Sequence, residues 1–295
     1  MKPPPFDYIA PDSLEEALEL LAQHGDDIKI LAGGQSLIPA LNFRLAQPTI
    51  LLDINSVPGL DYIRAENGNG GIQLGAMVRQ RKMERDNLIA ARAPLLHETM
   101  PFIAHPQIRN RGTLGGSMAH ADPAAEMPVI AVASEALITI QSSRGKRIAS
   151  ARDFFKGMFM VDCNPTEMLV EVEWPVLPER SGTAFVELAR RHGDYAMMGV
   201  ATVVSMNDDG SCASARLVYL NAGDAPVFAE KAAHTLIGEA PTEELFSAAA
   251  EIASKEEMDP FGNLHASPEY QRHLAGVLTV RALKRAFEKA AEGDW

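Results

Sequence analysis

Residues 28–54 read IKILAGGQSLIPALNFRLAQPTILLDI, two short apolar runs separated by a diglycine and a stretch with helical spacing. The first run, 28–31, predicts a buried strand, Gly33-Gly34 a tight turn, Ser36 onward a short helix, and 50–54 a second strand. Two apolar strands joined through a helical segment over so few residues predict a compact parallel β-α-β unit. The residues just before it support the same unit. In 11–25, PDSLEEALELLAQHG, Ser13 can cap a helix and Glu16 sits three residues on, the spacing of a capping box. Leu14, Ala17, Leu18 and Leu21 share one face of that helix, and Gly25 supplies its stop.

The pattern changes after Pro58. Two strand-like runs in 60–78 flank Asn67-Gly68-Asn69-Gly70-Gly71, a hairpin turn signal. A helical stretch is expected over 79–99, a Gly-, Arg-, Asn- and His-rich loop over 101–123, and a helix over 124–133. A hairpin about Arg144-Gly145 and an alternating strand at 168–175 complete a mixed, mostly antiparallel sheet. Pro175, Pro178 and Ser181-Gly182 mark a boundary, beyond which three strand-like runs and two helices form an α+β terminal unit. The expected division is 1–57, 58–176 and 177–295, as suits a chain of 295 residues.

Charge and cysteine usage narrow the function. A net charge of −12 argues against a nucleic-acid binder and against docking on an anionic membrane surface. Cys163 and Cys212 alone cannot build a disulfide framework or supply the four thiolates of an iron–sulfur cluster. With MKPPPFDY lacking the apolar core of a signal peptide, and no membrane-spanning run of apolar residues, the expected location is cytoplasmic.

Two glycine-rich turns carry the chemistry: Ala32-Gly33-Gly34-Gln35-Ser36 and Thr113-Leu114-Gly115-Gly116-Ser117. A glycine pair lets backbone N–H groups approach an anion, and the adjoining hydroxyl adds a directional donor. Two such turns converging would suit a pyrophosphate, whereas either alone is equally well a plain tight turn. Neither G-x-G-x-x-G nor G-x-x-x-x-G-K-[ST] occurs, so a dinucleotide would be held in another way than by a Rossmann or P-loop motif.

The segments LAGGQSLIPALNFRL, HPQIRNRGTLGGSMAHADPAAEMP, RRHGDYAMMGVA and SPEYQRHLAGVLTVRAL resemble the FAD-binding medium subunit of carbon monoxide dehydrogenase and its relatives in the xanthine dehydrogenase group of molybdenum hydroxylases. The likeness runs nearly end to end. It implies an α+β fold: a two-part, PCMH-type (vanillyl-alcohol-oxidase-like) FAD-binding domain, then a smaller α+β C-terminal domain. It also implies an FAD-dependent oxidoreductase subunit that takes electrons from the [2Fe-2S] clusters of an iron–sulfur small subunit. Those clusters would receive their electrons from a molybdopterin-binding large subunit.

Residue by residue, the resemblance places Leu31, Ala32, Gly33, Gly34, Gln35, Ser36, Leu37 and Ile38 in the first pyrophosphate loop, and Gly112, Thr113, Gly115, Gly116 and Ser117 in the second. Ile103, Ala104 and Ile108 fall where the family lines the flavin and its ribityl chain, and Leu169 and Tyr195 near the isoalloxazine. Glu126 falls where a carboxylate accepts ribose hydroxyls. Many relatives carry Asn at the position of Ser117 and Asp at that of Glu126, swaps that keep the hydrogen-bonding type and change its reach. His120, three residues past Ser117, either touches the cofactor or stands apart from it, and His105 is expected to be a loop hydrogen-bonder. Arg109 and Arg111 either face phosphate or the iron–sulfur subunit, or make plain salt bridges. The residues suggest no metal site and no catalytic side chain of their own. The alternative to a subunit is a stand-alone FAD-dependent oxidoreductase on the same fold, which would need its own proton donor beside the flavin.

Overall fold

The computed structural model describes residues 2–65 and 70–293. Residues 67–69 of the expected hairpin turn lie outside the described residues, but the strands on either side, Ile63–Ala65 and Ile72–Gly75, pair antiparallel as the hairpin requires.

The N-terminal unit is the parallel arrangement expected, with one strand more. Ile28–Leu31 and Asp7–Ile9 both run parallel to a central Ile50–Asp53. The three residues of Asp7–Ile9 are too few, and too exposed, to show a period in the sequence. The helix Leu14–His24 begins at Ser13, whose hydroxyl accepts from the Glu16 N–H, and ends at Gly25 with φ 52°. The Glu16 carboxylate reaches back to the N–H of Asp12, one residue short of the Ser13 N–H of the usual capping box.

The middle unit is a five-stranded antiparallel sheet in the order Ile63–Ala65, Ile72–Gly75, Met168–Trp174, Leu137–Ser142, Gly145–Ser150. A bulge between Leu169 and Glu171 frees the Val170 carbonyl to accept from Ala76. The central strand thereby serves two cores: Met168 and Val170 face the N-terminal unit, while Leu169 and Val172 face the helices of their own unit.

Two expectations are corrected here. The helical stretch 79–99 is three short helices, Gln80–Met83, Asn87–Arg92 and Pro94–Thr99, interrupted by the Asp86 cap and by Pro94. The expected loop over 101–123 contains two further helices, Pro106–Arg109 and Leu114–His120. Glycine content argued for loop there, but Thr113 caps the second helix through the Gly116 N–H, and tertiary contacts overrule the weak propensity of Gly115 and Gly116.

The C-terminal unit is a four-stranded antiparallel sheet, Ser181–Ala189, Ala196–Met206, Cys212–Leu220 and Val227–Phe228. One face carries the helices Glu230–Leu236, Glu243–Glu256 and Pro268–Glu292, the first of which was not expected. The long helix starts on a Ser267 cap with Pro268 in its first turn and stops at Gly293. Its buried stripe alternates bulk with small residues, Leu274, Ala275, Leu278, Ala282, Leu283, Ala286, so its backbone rides close to the sheet. Closest of all is Gly182, where an added Cβ would lie 1.8 Å from the Ala286 carbonyl oxygen.

That contact gives a direct test of the packing. Gly182→Ala must push helix from sheet, and is expected to lower stability by about 2–3 kcal/mol, the upper range for overpacking. Gly276→Ala, whose new Cβ would meet nothing nearer than Ser254 Oγ at 3.7 Å, should instead gain roughly 0.5–1 kcal/mol of helix propensity. Urea unfolding followed by circular dichroism measures both; equal effects of the two substitutions would contradict this account.

Candidate functional site

The two glycine turns, some eighty residues apart in sequence, are packed directly on each other. A Cβ on Gly33 would lie 2.5 Å from the Arg111 carbonyl oxygen and 2.9 Å from the Gly112 Cα, so only glycine allows this approach. From the other side Gly116 faces Ala32, whose Cβ would sit 3.6 Å from a Cβ placed there. Gly115 in turn lies flat on the end of the middle sheet, 2.7 Å from the Ala76 Cβ by the same measure. Gly34 plays a different part: its φ of 73° turns the chain from strand into the Leu37–Asn42 helix.

Polar side chains lock this junction. Asn55 donates to the Ala32 carbonyl at 2.8 Å, and Arg79 donates both to the Asn55 side chain and to the Arg111 carbonyl. Arg79 and Arg111 repel one another, which together with burial holds the Arg79 guanidinium below its usual pKa. Asp61 and Asp53 act on Arg79 in the opposite sense, so the junction is a cluster of charges of both signs, with the guanidinium of Arg79 bound to its carbonyls. Neither Asn55 nor Arg79 is identifiable from sequence. Each stands alone in an ordinary context, and its role comes only from the tertiary contact.

The turns do not offer equal numbers of donors. In the second, the N–H groups of Leu114 and Gly115 are taken by the carbonyls of Val78 and Ala76, and that of Gly116 by the Thr113 hydroxyl. In the first, among the described residues, the N–H groups of Gly33, Gly34, Gln35 and Ser36 have no acceptor within the protein. Four consecutive unengaged donors beside two arginines form an anion cradle. The second turn gives close steric support and carries two hydroxyl residues, the buried Thr113, whose hydroxyl caps Gly116, and the partly buried Ser117.

Further out, Ile103 and Ala104 form a turn in which Ala104 takes φ 45°. Arg109 holds it: its guanidinium donates to the carbonyls of Ile103 at 2.8 Å and Ala104 at 3.0 Å, and pairs with Glu84 through two further bonds. Arg109 is thus a buried positioning residue, and of the two readings open in the sequence the salt bridge is the one observed. Arg111 contributes its carbonyl to the junction. His105 differs from expectation. Its carbonyl starts the Pro106–Arg109 helix, while its imidazole packs on Gly193, where a Cβ would come within 2.3 Å of the ring. This contact docks the His192-Gly193-Asp194-Tyr195 hairpin tip against the Ile103–Ala104 turn.

Ile108 is partly exposed on the same short helix as Arg109, Leu169 is buried in the middle core, and Tyr195 is 70 % exposed at the hairpin tip. Tyr195 lies within electrostatic reach of Asp122 and Glu126, which places the tip beside the start of the Glu126–Ala133 helix. Glu126 is buried, and burial, then the nearby Asp122, lifts its pKa to about 7. His120 is half-buried against the Phe159 ring at 5.0 Å, its pKa lowered by burial. Leu31, Leu37 and Ile38 flank the cradle, with the side chains of Leu31 and Ile38 closing over Gly34.

The arrangement fits a dinucleotide: an anion cradle for a diphosphate, an apolar turn held by Arg109, and a buried carboxylate for hydroxyl donors. Comparison with known proteins agrees. Residues 4–177 match the family model described as the FAD binding domain in molybdopterin dehydrogenase, and residues 183–286 the CO dehydrogenase flavoprotein C-terminal domain. The chain is 44 % identical to the 6-hydroxypseudooxynicotine dehydrogenase complex subunit alpha of Paenarthrobacter nicotinovorans, over 98 % of this chain and 97 % of that one. Among solved structures, carbon monoxide dehydrogenase from Hydrogenophaga pseudoflava superposes with a TM-score of 0.94 at 38 % identity, covering 98 % of this chain and 99 % of the other. Quinoline 2-oxidoreductase from Pseudomonas putida 86 gives 0.92 at 39 % identity, covering 98 % and 99 %.

The Gly33 contact generates the test of the cradle. Gly33→Ala forces the two turns apart by a clash against backbone and is expected to weaken FAD binding about ten- to a hundredfold, the equivalent of about 1.4–2.8 kcal/mol. Gly116→Ala meets chiefly the rotatable Thr113 hydroxyl and should cost less. Fluorescence titration of folded variants ranks them; an undiminished affinity in Gly33→Ala would mean the junction does not hold the ligand.

Proposed function

The chain belongs to the FAD-binding subunits of the molybdenum hydroxylases, and on that premise we propose that it is the electron outlet of a heteromeric complex. In this reading it accepts electrons from [2Fe-2S] clusters on a small subunit, which a molybdopterin-binding large subunit supplies, and passes them to an external acceptor. The observation that carries it is the run of unengaged N–H donors from Gly33 to Ser36, set against the second glycine turn.

The bound FAD would supply the redox chemistry, taking electrons from carriers on one side and releasing them on the other. The protein supplies position and electrostatics. Gly33, Gly34, Gln35 and Ser36 donate backbone N–H groups to the diphosphate, with the Thr113 and Ser117 hydroxyls completing its shell. Gly112, Gly115 and Gly116 keep the second turn close enough for this. Ile103, Ala104 and Ile108 would line the flavin and its ribityl chain, and Leu169 and Tyr195 would stand near the ring. Glu126 takes sugar hydroxyls, with His120 alongside. The three units divide at residues 57 and 176, so the cradle is built from the first two and the ring site borrows Tyr195 from the third.

The clusters belong to a partner because this chain has no thiolates to give them. Cys163 and Cys212 are the only cysteines, and burial pushes both thiols up to about 11. The relatives' names refer to different substrates, which fits a subunit that never meets the substrate. Reduced thiols suit the cytoplasm as its location. Among the described residues no helix is long and apolar enough to cross a membrane.

The purified chain is expected to bind flavin that acid releases as FAD; FMN alone would contradict the diphosphate cradle. With iron–sulfur and molybdenum subunits added, stopped-flow absorbance should show their substrate bleaching clusters and flavin together. The isolated chain should show no hydroxylation. Flavin bleaching by that substrate in this chain alone would make it a stand-alone flavoenzyme.

A further inference from the structure

Strand alternation places one more carboxylate at this site. Along Ser181–Ala189, Val186 faces the helix-covered core, whereas Phe185 faces the middle unit and meets the Phe102 ring edge-on at 5.3 Å. Successive side chains point to opposite faces, so Glu187 shares the side of Phe185, toward the segment that leads into Ile103 and Ala104. Its cross-strand neighbour is Gly199, which pairs in turn with Leu220, whose side chain lies over it; the next residue, Asn221, donates its N–H to the Pro123 carbonyl at 2.8 Å and so brings the start of the Glu126–Ala133 helix to this part of the sheet.

Glu187 Oε2 is fully buried and has no hydrogen-bond partner among the described residues. The charge that acts on it is Glu126, the buried carboxylate of the flavin site. Glu126 in turn feels Asp122, and Tyr195 stands near both of these. Among the described residues no lysine, arginine or histidine donates to Glu126 or to Glu187. Glu126 accepts from its own backbone N–H, but the buried Oε2 of Glu187 accepts from nothing among the described residues, an arrangement that is costly unless one carboxyl keeps its proton and donors arrive from outside the chain.

We propose that Glu187 completes the flavin site: with Glu126 it forms a pair, one carboxyl from each side of the domain boundary, that carries one proton and receives the sugar hydroxyls of FAD. This rests on the FAD reading above. The ionised member accepts hydroxyl donors and the protonated member donates to a hydroxyl oxygen, so both are satisfied only with the cofactor present. Burial first, and Glu126 second, lift Glu187 to about 8. Its proton is held below that pH and lost above it, leaving two negative charges in one cavity alongside an anionic cofactor. FAD affinity therefore falls as pH rises through that value.

The test is fluorescence titration of the flavin-free full chain with FAD from pH 6 to 9. Wild-type affinity should drop above about pH 8 by roughly tenfold per pH unit, as linkage to one proton requires. Glu187→Gln, which keeps a donor and has no proton to lose, should flatten that profile. Glu187→Ala should weaken binding about tenfold at pH 7, the worth of one to two hydrogen bonds. A flat wild-type profile, or a Glu187→Gln profile that still follows the wild type, overturns the pair. Wild-type protein that binds no FAD at any pH overturns the flavin reading itself.

Discussion

Everything at the site depends on one steric fact: the backbone at Gly33 touches the backbone at Arg111 and Gly112 with no room for a single carbon atom between them. This contact joins a small parallel sheet to a larger antiparallel one and sets the distance between two turns that are remote in sequence. Asn55 and Arg79 then fasten the joint with hydrogen bonds to the carbonyls on either side. The joint uses carbonyls for its own cohesion, and the N–H groups of the first turn are left without acceptors among the described residues. The cradle is thus a by-product of how the two sheets are held together.

Much of the fold was legible because it is written in local periods. The strands at 28–31, 50–53 and 168–174 follow from apolar spacing, and the helix beginning after Ser13 from its capping residue and apolar face. What escaped was decided by contacts. Leu114–His120 is helical despite its glycines because Val78 and Ala76 take its first N–H groups. Asp7–Ile9 is a strand because a neighbour accepts it. The site divides in the same way. The glycine turns are contiguous words, readable in the chain. Asn55, Arg79 and Glu187 are single letters that acquire meaning only when folding brings a partner to them. Arg109 was visible in a distinctive run, but its direction, inward to two carbonyls and Glu84, was not.

The electrostatics show a second division of labour. On the proposed reading, a chain of net charge −12 sets arginines beside the diphosphate cradle and buries a carboxylate where sugar hydroxyls would bind. Both arrangements are unfavourable by themselves: like charges face each other in the Arg79–Arg111 pair and in the Glu126–Glu187 pair. On the proposed reading each would be relieved by a ligand group of complementary character.

The sheet of the C-terminal unit has no face of its own to spare. Its helices cover one side, while Phe185, Ala196, Ala201, Val203, Val218 and Leu220 on the other side belong to the core of the flavin-binding part. Arg216 reaches across to the Ala133 carbonyl at 2.6 Å, and Gly193 seats the His105 ring. A boundary that is plain in the chain therefore has no counterpart in the packing. Whatever reshapes the inner face of that sheet must be answered in the helices it covers, so a change in one half is felt directly in the packing of the other.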